Sequence, residues 1–276
     1  MSRPQPSCPP LVLAFAASDP TGGAGLQADV LTLAARGCHP LSVVTAITVQ
    51  DTSGVERLQA VECGLVEQQA RRLLAEMPVA AFKLGVLGSL QNIETIARVV
   101  SDYPAVPLIL DPVLASGRGD PLSTREMIAA LRELVVPLTT VLTPNSLEAR
   151  QLAGRTHDAG TLPLDECARR LLSLGCDYVL VTGTHEADAE VVNTLYGTAG
   201  VVRADRWHRL PGSYHGSGCT LASALAAAIA MGFAVPEAAR DAQEFTWQTL
   251  SNGFQPGRGQ FLPDRFFQAR AIEDQK

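Results

Sequence analysis

Short apolar runs alternate with stretches of helical period along almost the whole chain, and this alternation is the strongest constraint on its fold. Leu11–Ala17, Leu41–Val49, Ala80–Val86, Pro107–Leu110, Thr139–Thr143 and Tyr178–Thr182 read as strands. Between them, Ala24–Arg36, Leu65–Glu76, Leu90–Ser101, Ser123–Leu134, Leu147–Ala153 and Leu164–Leu174 read as helices. Strands separated by helices pair in parallel through crossovers, and such a sheet is covered on both faces. Aromatic residues are only 5% of the chain, which suits that layering better than an aromatic-rich sandwich. The prediction is therefore an α/β fold with a mostly parallel central sheet and helices on both faces.

Local signals mark several boundaries. Gly37 ends one helix and Pro78 another, Ser89 is placed to cap the helix from Leu90, and Ser123 with Glu126 has capping-box spacing. Glu190–Leu195 and Gly200–Arg206 flank Gly197 as a hairpin, and Thr220–Met231 and Pro236–Asn252 complete the helices. No linker or composition break divides the chain. We expect a disordered or extended tail over residues 1–10, one domain over 11–263 and a tail over 264–276.

Charge and cysteine content exclude several roles. A net charge of −6 argues against nucleic acid or an anionic membrane as the main partner. Leu221–Val235 is apolar but shorter than the ~20 residues that span a bilayer. Leu11–Ala17 could be confused with a signal peptide, but Arg3 is the only basic residue before it, and Pro4, Pro6, Pro9 and Pro10 crowd its flank. The six cysteines form no C-x-x-C pair, which speaks against zinc and dithiol chemistry and suits a reducing, cytoplasmic compartment.

In an open parallel sheet, ligands sit beyond the carboxyl ends of the strands. Ser18-Asp19-Pro20, Gln50-Asp51, Gly85-Val86, Asp111-Pro112, Thr143-Pro144-Asn145 and Thr182-Gly183 stand at those ends. Ser18–Asp29 is a glycine-rich turn opening a helix, without the Lys of a Walker loop. It is equally readable as a plain turn capped by Asp19. His215-Gly216-Ser217-Gly218-Cys219-Thr220 also opens a helix, where backbone amides converge into an anion hole. Cys219 falls in its first turn, where the helix dipole is expected to lower a thiol pKa. The plainer alternative is a capped core helix with a small buried cysteine. Asn145 and Glu148 share a face at a helix start, where a carboxylate can hold hydrated magnesium, although an Asn cap with a nearby Glu is a common pattern in itself; Asp111 is a further strand-end carboxylate. Lys83, inside an apolar strand, predicts a structural ion pair. His39 and His208 lack metal-ligand spacing, and Trp207 and Trp247 read as packing residues.

Taken in order, Ser18–Asp29, Thr45–Thr52, Lys83–Leu87, Leu110–Val113, Leu142–Glu148 and His215–Thr220 resemble the vitamin-kinase branch of the ribokinase-like superfamily. Within that branch they look most like the hydroxymethylpyrimidine/phosphomethylpyrimidine kinases of thiamine biosynthesis. The resemblance runs from Leu11 to about Pro263. It implies ATP and Mg2+ as cofactors, a monovalent cation as a further option, a small hydroxymethylpyrimidine substrate and a homodimer. By the same resemblance, Gln50 and the backbone at Thr48 hold the aminopyrimidine, with Ala17, Asp29 and Val86 lining the pocket. Cys219 acts on the substrate hydroxyl as base or positioning group, and Gly216, Ser217 and Gly218 supply the anion-hole amides. Asn145, Thr182, Gly183 and Gly218 face the nucleotide, and Asp111 and Glu148 hold magnesium through water.

Two features depart from the family pattern. Thr182-Gly183-Thr184-His185 stands where Lys-Gly-Gly-His is common, and Tyr214 precedes His215 where Asn-Thr is common. Arg118, Arg203, Arg206 and Arg209 are the candidates to replace the lost positive charge, and Gly117–Asp120 reads equally as a loop able to lie over phosphates or as a solvated turn. Two rival functions stand beside this one: a pyridoxine or pyridoxal kinase, against which Gln50 and Cys219 speak, and a non-enzymatic pyrimidine sensor, which the missing Lys near Thr182 motivates.

Overall fold

The computed structural model describes residues 8–116, 119–154, 162–186 and 189–273. Its sheet is built on β1 (Leu11–Ser18), whose residues are buried on both faces from Leu11 to Ala17. β1 pairs in parallel with β2 (His39–Asp51) on one side and β4 (Val79–Leu84) on the other. β5 (Leu108–Leu110), β6 (Val141–Leu142) and β7 (Tyr178–Val181) continue the parallel set. β3 (Gly54–Ala60) closes one edge antiparallel to β2, and β8 (Glu190–Gly197) with β9 (Gly200–His208) closes the other. The order is β3-β2-β1-β4-β5-β6-β7-β8-β9. The chain thus winds outward from β1 to β3 and then crosses back to β4, so the topological switch point lies between β1 and β4.

The helices divide between the faces as the alternation predicts. Leu13, Phe15, Phe82 and Leu110 face one core with α2 (Cys63–Leu74), α3 (Leu90–Ser101) and α5 (Ser146–Ala153). Val12, Ala81 and Ile109 face the other with α1 (Gly25–Ala35), α7 (Ser217–Ala230) and α8 (Val235–Ser251). α7 is almost wholly buried, with Ala222, Ala224, Ala226, Ala227 and Ala228 at no exposure. Small side chains let this central helix lie close to both the sheet and α8, and so fix its N-terminus at the sheet's carboxyl edge.

Several expectations need correction. β3 is a strand that the apolar pattern does not show, because its exposed Glu56, Arg57 and Gln59 leave no apolar alternation on this edge strand. The helix from Ser123 is shorter: Thr124, not Ser123, accepts from Met127 N–H, and α4 (Arg125–Ala130) passes into a wider turn and then a tight one. Residues 264–273 are part of the packed fold and not a tail. Asp264 and Arg265 are buried, and Phe267, which opens α9 (Phe267–Glu273), packs its ring 6.0 Å from that of Phe245. Arg118 and most of residues 1–10 lie outside the described residues. No helix among those described is long and apolar enough to cross a membrane.

Candidate active site

The loop after β1 is organised by Asp19, which is 2% exposed. Its carboxylate accepts from Thr21 N–H at 2.8 Å, Thr21 Oγ1 at 2.9 Å and Ala24 N–H at 2.8 Å. His215 Nε2 lies 2.8 Å from the same carboxylate, and Gln50 adds a side-chain hydrogen bond. Asp19 therefore joins the glycine loop, the turn before α7 and the end of β2. Burial pushes its carboxyl up, but the bonds from His215, Gln50, Thr21 and Ala24 outweigh this and hold it well below the ordinary range. Local sequence shows Asp19 only as a cap, since its distant partners come together only on folding.

This depression has a testable sign. A carboxylate with a lowered folded pKa adds stability above its unfolded value of roughly 3.9, and loses it as pH falls toward the folded value. Wild-type thermal stability should therefore drop more steeply below pH 4 than that of Asp19→Asn. Parallel melting curves for the two proteins between pH 2 and 5 would remove this linkage.

Gly216 caps α7 at φ 80°, and a Cβ there would meet Gly23 O at 1.9 Å. Only glycine lets the loop before α7 lie this close to the glycine loop after β1. Gly218, two residues on, is exposed, and its Cβ would meet only Asp111 Oδ1, at 3.7 Å. The first turn of α7 thus offers amides over an open space bounded by a carboxylate. Cys219 sits in that turn but does not behave as the dipole argument predicts. It is 9% exposed, and burial pushes its thiol up to about 12, against a lowering by Lys83. Desolvation outweighs the dipole, so the sulfur carries its proton at neutral pH and bonds to Asp111.

Beneath the cradle lies a buried charge cluster. Lys83 Nζ, without exposure, is 2.8 Å from Asp29 Oδ1 and 3.8 Å from Asp111 Oδ2. Gly85 makes room for the ammonium, since a Cβ there would stand 2.9 Å from Nζ. Ser223 in α7 donates to Asp29 Oδ1 at 2.8 Å. The expected ion pair of Lys83 is therefore present, at the switch point itself. Burial pushes the Asp111 carboxyl up against the pull of Lys83, and Asp111 Oδ2 accepts no hydrogen bond. Glu148 accepts from Asn145 N–H at 2.9 Å and Leu114 N–H at 3.3 Å, yet burial and the charge of Asp111 push it up to about 8.

The predicted site residues line one edge of the sheet. At the β1–β2 end, Ala17 and Thr48 are nearly buried, while Gln50 and Val86 keep part of their surface. Asp29 has no exposure, so it supports the wall from below and does not itself line it. At the other end, Asn145 and Thr182 form a parallel bridge, and Ser146 N–H donates to Thr182 O at 3.1 Å. Asn145 also completes a capping box with Glu148. Gly183 N–H donates to the buried Asn193 Oδ1 at 3.1 Å. Among the candidate arginines, Arg203 is bound to Asp205 and Arg206 to Glu190. Arg209 stands beside the loop after β7, donating to Thr184 O at 2.8 Å and Glu186 O at 2.9 Å.

Known proteins share this fold and much of this sequence. Residues 19–264 match the family model described as Phosphomethylpyrimidine kinase. The chain belongs to the phosphomethylpyrimidine kinase family. A relative from Streptomyces coelicolor, a hydroxymethylpyrimidine/phosphomethylpyrimidine kinase, is 38% identical over 264 residues, 94% of this chain and 96% of its own. The crystal structure of a phosphomethylpyrimidine kinase from Clostridium difficile superposes with a TM-score of 0.74 at 30% identity, covering 87% of this chain and 99% of that one. Bacillus subtilis pyridoxal kinase, solved as an ADP complex, superposes at 0.83 with 27% identity, covering 95% and 99%. The ribokinase-like fold expected from the family's motifs is the fold observed, and the chain is an ATP-dependent kinase.

Proposed function

We infer that this chain phosphorylates the 5-hydroxymethyl group of 4-amino-5-hydroxymethyl-2-methylpyrimidine with ATP, and then phosphorylates the resulting monophosphate, in thiamine biosynthesis. The observation that carries this reading is the placement of Gln50, Asp111 and the exposed Gly218 at the carboxyl edge of the sheet in a member of this family. Gln50 and the Thr48 backbone present polar groups for the pyrimidine, with Ala17 and Val86 as the apolar wall. Asn145, Thr182 and Gly183 stand on the nucleotide side, some strands away, so the two substrates meet over Gly218.

Phosphoryl transfer needs alignment and charge neutralisation more than covalent help. The amides of Gly216, Ser217 and Gly218 meet the transferred group at a helix N-terminus. Cys219 holds its proton and positions the attacking hydroxyl. Asp111 and Glu148 suit magnesium through water: one has an oxygen without a hydrogen bond and the other is raised by its neighbour's charge. Magnesium held there would neutralise phosphate charge, binding one or two carboxylates and keeping several waters.

Pyridoxal is the second substrate to weigh, because the pyridoxal kinase superposes more closely than the phosphomethylpyrimidine kinase. Equimolar hydroxymethylpyrimidine and pyridoxal, offered together with Mg-ATP, separate the two. We expect the pyrimidine phosphate to predominate, and Gln50→Ala to raise KM for the pyrimidine by about tenfold or more, the scale of a lost ring hydrogen bond. Predominant pyridoxal phosphate would reverse the assignment.

A further inference from the structure

Arg265 lies outside every motif that marks the site, yet it is 5% exposed and bound to the site's backbone. Nη2 donates to Gly23 O at 2.6 Å and to Thr220 Oγ1 at 3.0 Å. Nε donates to Thr220 Oγ1 at 3.2 Å, and Nη1 reaches Gly22 O at 3.4 Å. Thr220 Oγ1 in turn donates to Gly216 O at 2.8 Å. One guanidinium therefore links the glycine loop to the first turn of α7, the two segments whose backbones touch at Gly216.

The chemistry of its partners is unusual. All of these acceptors are neutral oxygens, and Asp19 and Asp29 act on Arg265 only through space. Burying a cation without a bonded counter-ion is costly. Neutral loop anchoring needs no charge: a glutamine or a backbone amide would serve. A fixed cation at this place acts on whatever anion occupies the amide cradle, because a low-dielectric setting weakens screening.

We propose that Arg265 is a positioning residue for phosphoryl transfer, clamping the glycine loop to α7 and placing a fixed positive charge behind the amides of residues 216–218. The proposal rests on the phosphate placement given above. It assigns no direct contact between Arg265 and substrate.

The test compares Arg265→Gln and Arg265→Lys with wild type by steady-state kinetics, calorimetric pyrimidine binding without nucleotide, and thermal unfolding. Arg265→Gln should fold, keep pyrimidine affinity within about threefold, and lose kcat by about tenfold to a hundredfold, somewhat less than loss of a direct oxyanion donor. Arg265→Lys should recover most of that kcat, because it keeps the charge. Equal kcat in folded Gln and Lys variants, or a wild-type kcat in Arg265→Gln, would overturn the proposal. Should Arg265→Gln fail to fold, Arg265→Lys decides: kcat near wild type supports the proposal, and a folded but silent variant rejects it. A wild type that binds pyrimidine but transfers no phosphate would instead refute the functional reading, and this proposal with it.

Discussion

Gly218→Val should leave a folded protein that binds pyrimidine but has lost nearly all turnover. Gly218 is exposed, and a Cβ there meets nothing closer than Asp111 Oδ1 at 3.7 Å. The fold therefore has no need of glycine at this position; the open space over the amides does. A valine fills that space and blocks approach of the phosphate to its N–H donors. Removing one such donor typically costs on the order of 10²–10³ in kcat, and blocking several should cost at least that. The contrast with Gly216 sharpens the test. There a methyl group would stand 1.9 Å from Gly23 O, at a φ of 80° that side chains disfavour. Gly216→Ala should lower both Tm and activity, whereas Gly218→Val should lower activity alone. A Gly218→Val enzyme with normal kcat would mean that the phosphates bind elsewhere.

Lys83→Met should produce the largest loss of stability of any substitution considered for the charge cluster. Removing one partner of a buried ion pair strands the other, at a cost of roughly 3–5 kcal/mol. Here the stranded group is Asp29, 2.8 Å from Nζ, with Asp111 also losing its nearest cation. In a domain of this size that corresponds to a fall in Tm on the order of 10 °C. The cost arises from unpaired charge and not from lost volume, since methionine nearly matches the lysine stem. Lys83→Met with Asp29→Asn should therefore be more stable than Lys83→Met alone. Thermal or denaturant unfolding of the set decides this; a single variant as stable as wild type would contradict the assignment.

How far the sequence carried the fold and the site depends on the kind of interaction. Strand-end residues such as Gln50, Asp111 and Thr182 were legible because α/β topology dictates where strand ends gather. The anion hole was legible because glycine and a helix start sit together in sequence. β3 was not, since an exposed edge strand shows no apolar alternation. Nor was the protonated state of Cys219: local sequence reports the helix dipole, while burial between α7 and the sheet is a tertiary property that outweighs it. Asp19 and Arg265 were missed for the same reason. Their partners, His215 for one and Gly23 with Thr220 for the other, are remote in the chain and adjacent only after folding.

The central claim is that amides at the start of α7 deliver the γ-phosphoryl group of ATP to a hydroxymethylpyrimidine. Phosphorus NMR of the wild-type enzyme with Mg-ATP and that pyrimidine tests it most directly. The account predicts loss of the γ-phosphate signal with the appearance of a phosphomonoester and then a diphosphate ester. Intact ATP, or ATP hydrolysed to inorganic phosphate with no phosphorylated pyrimidine, would contradict it.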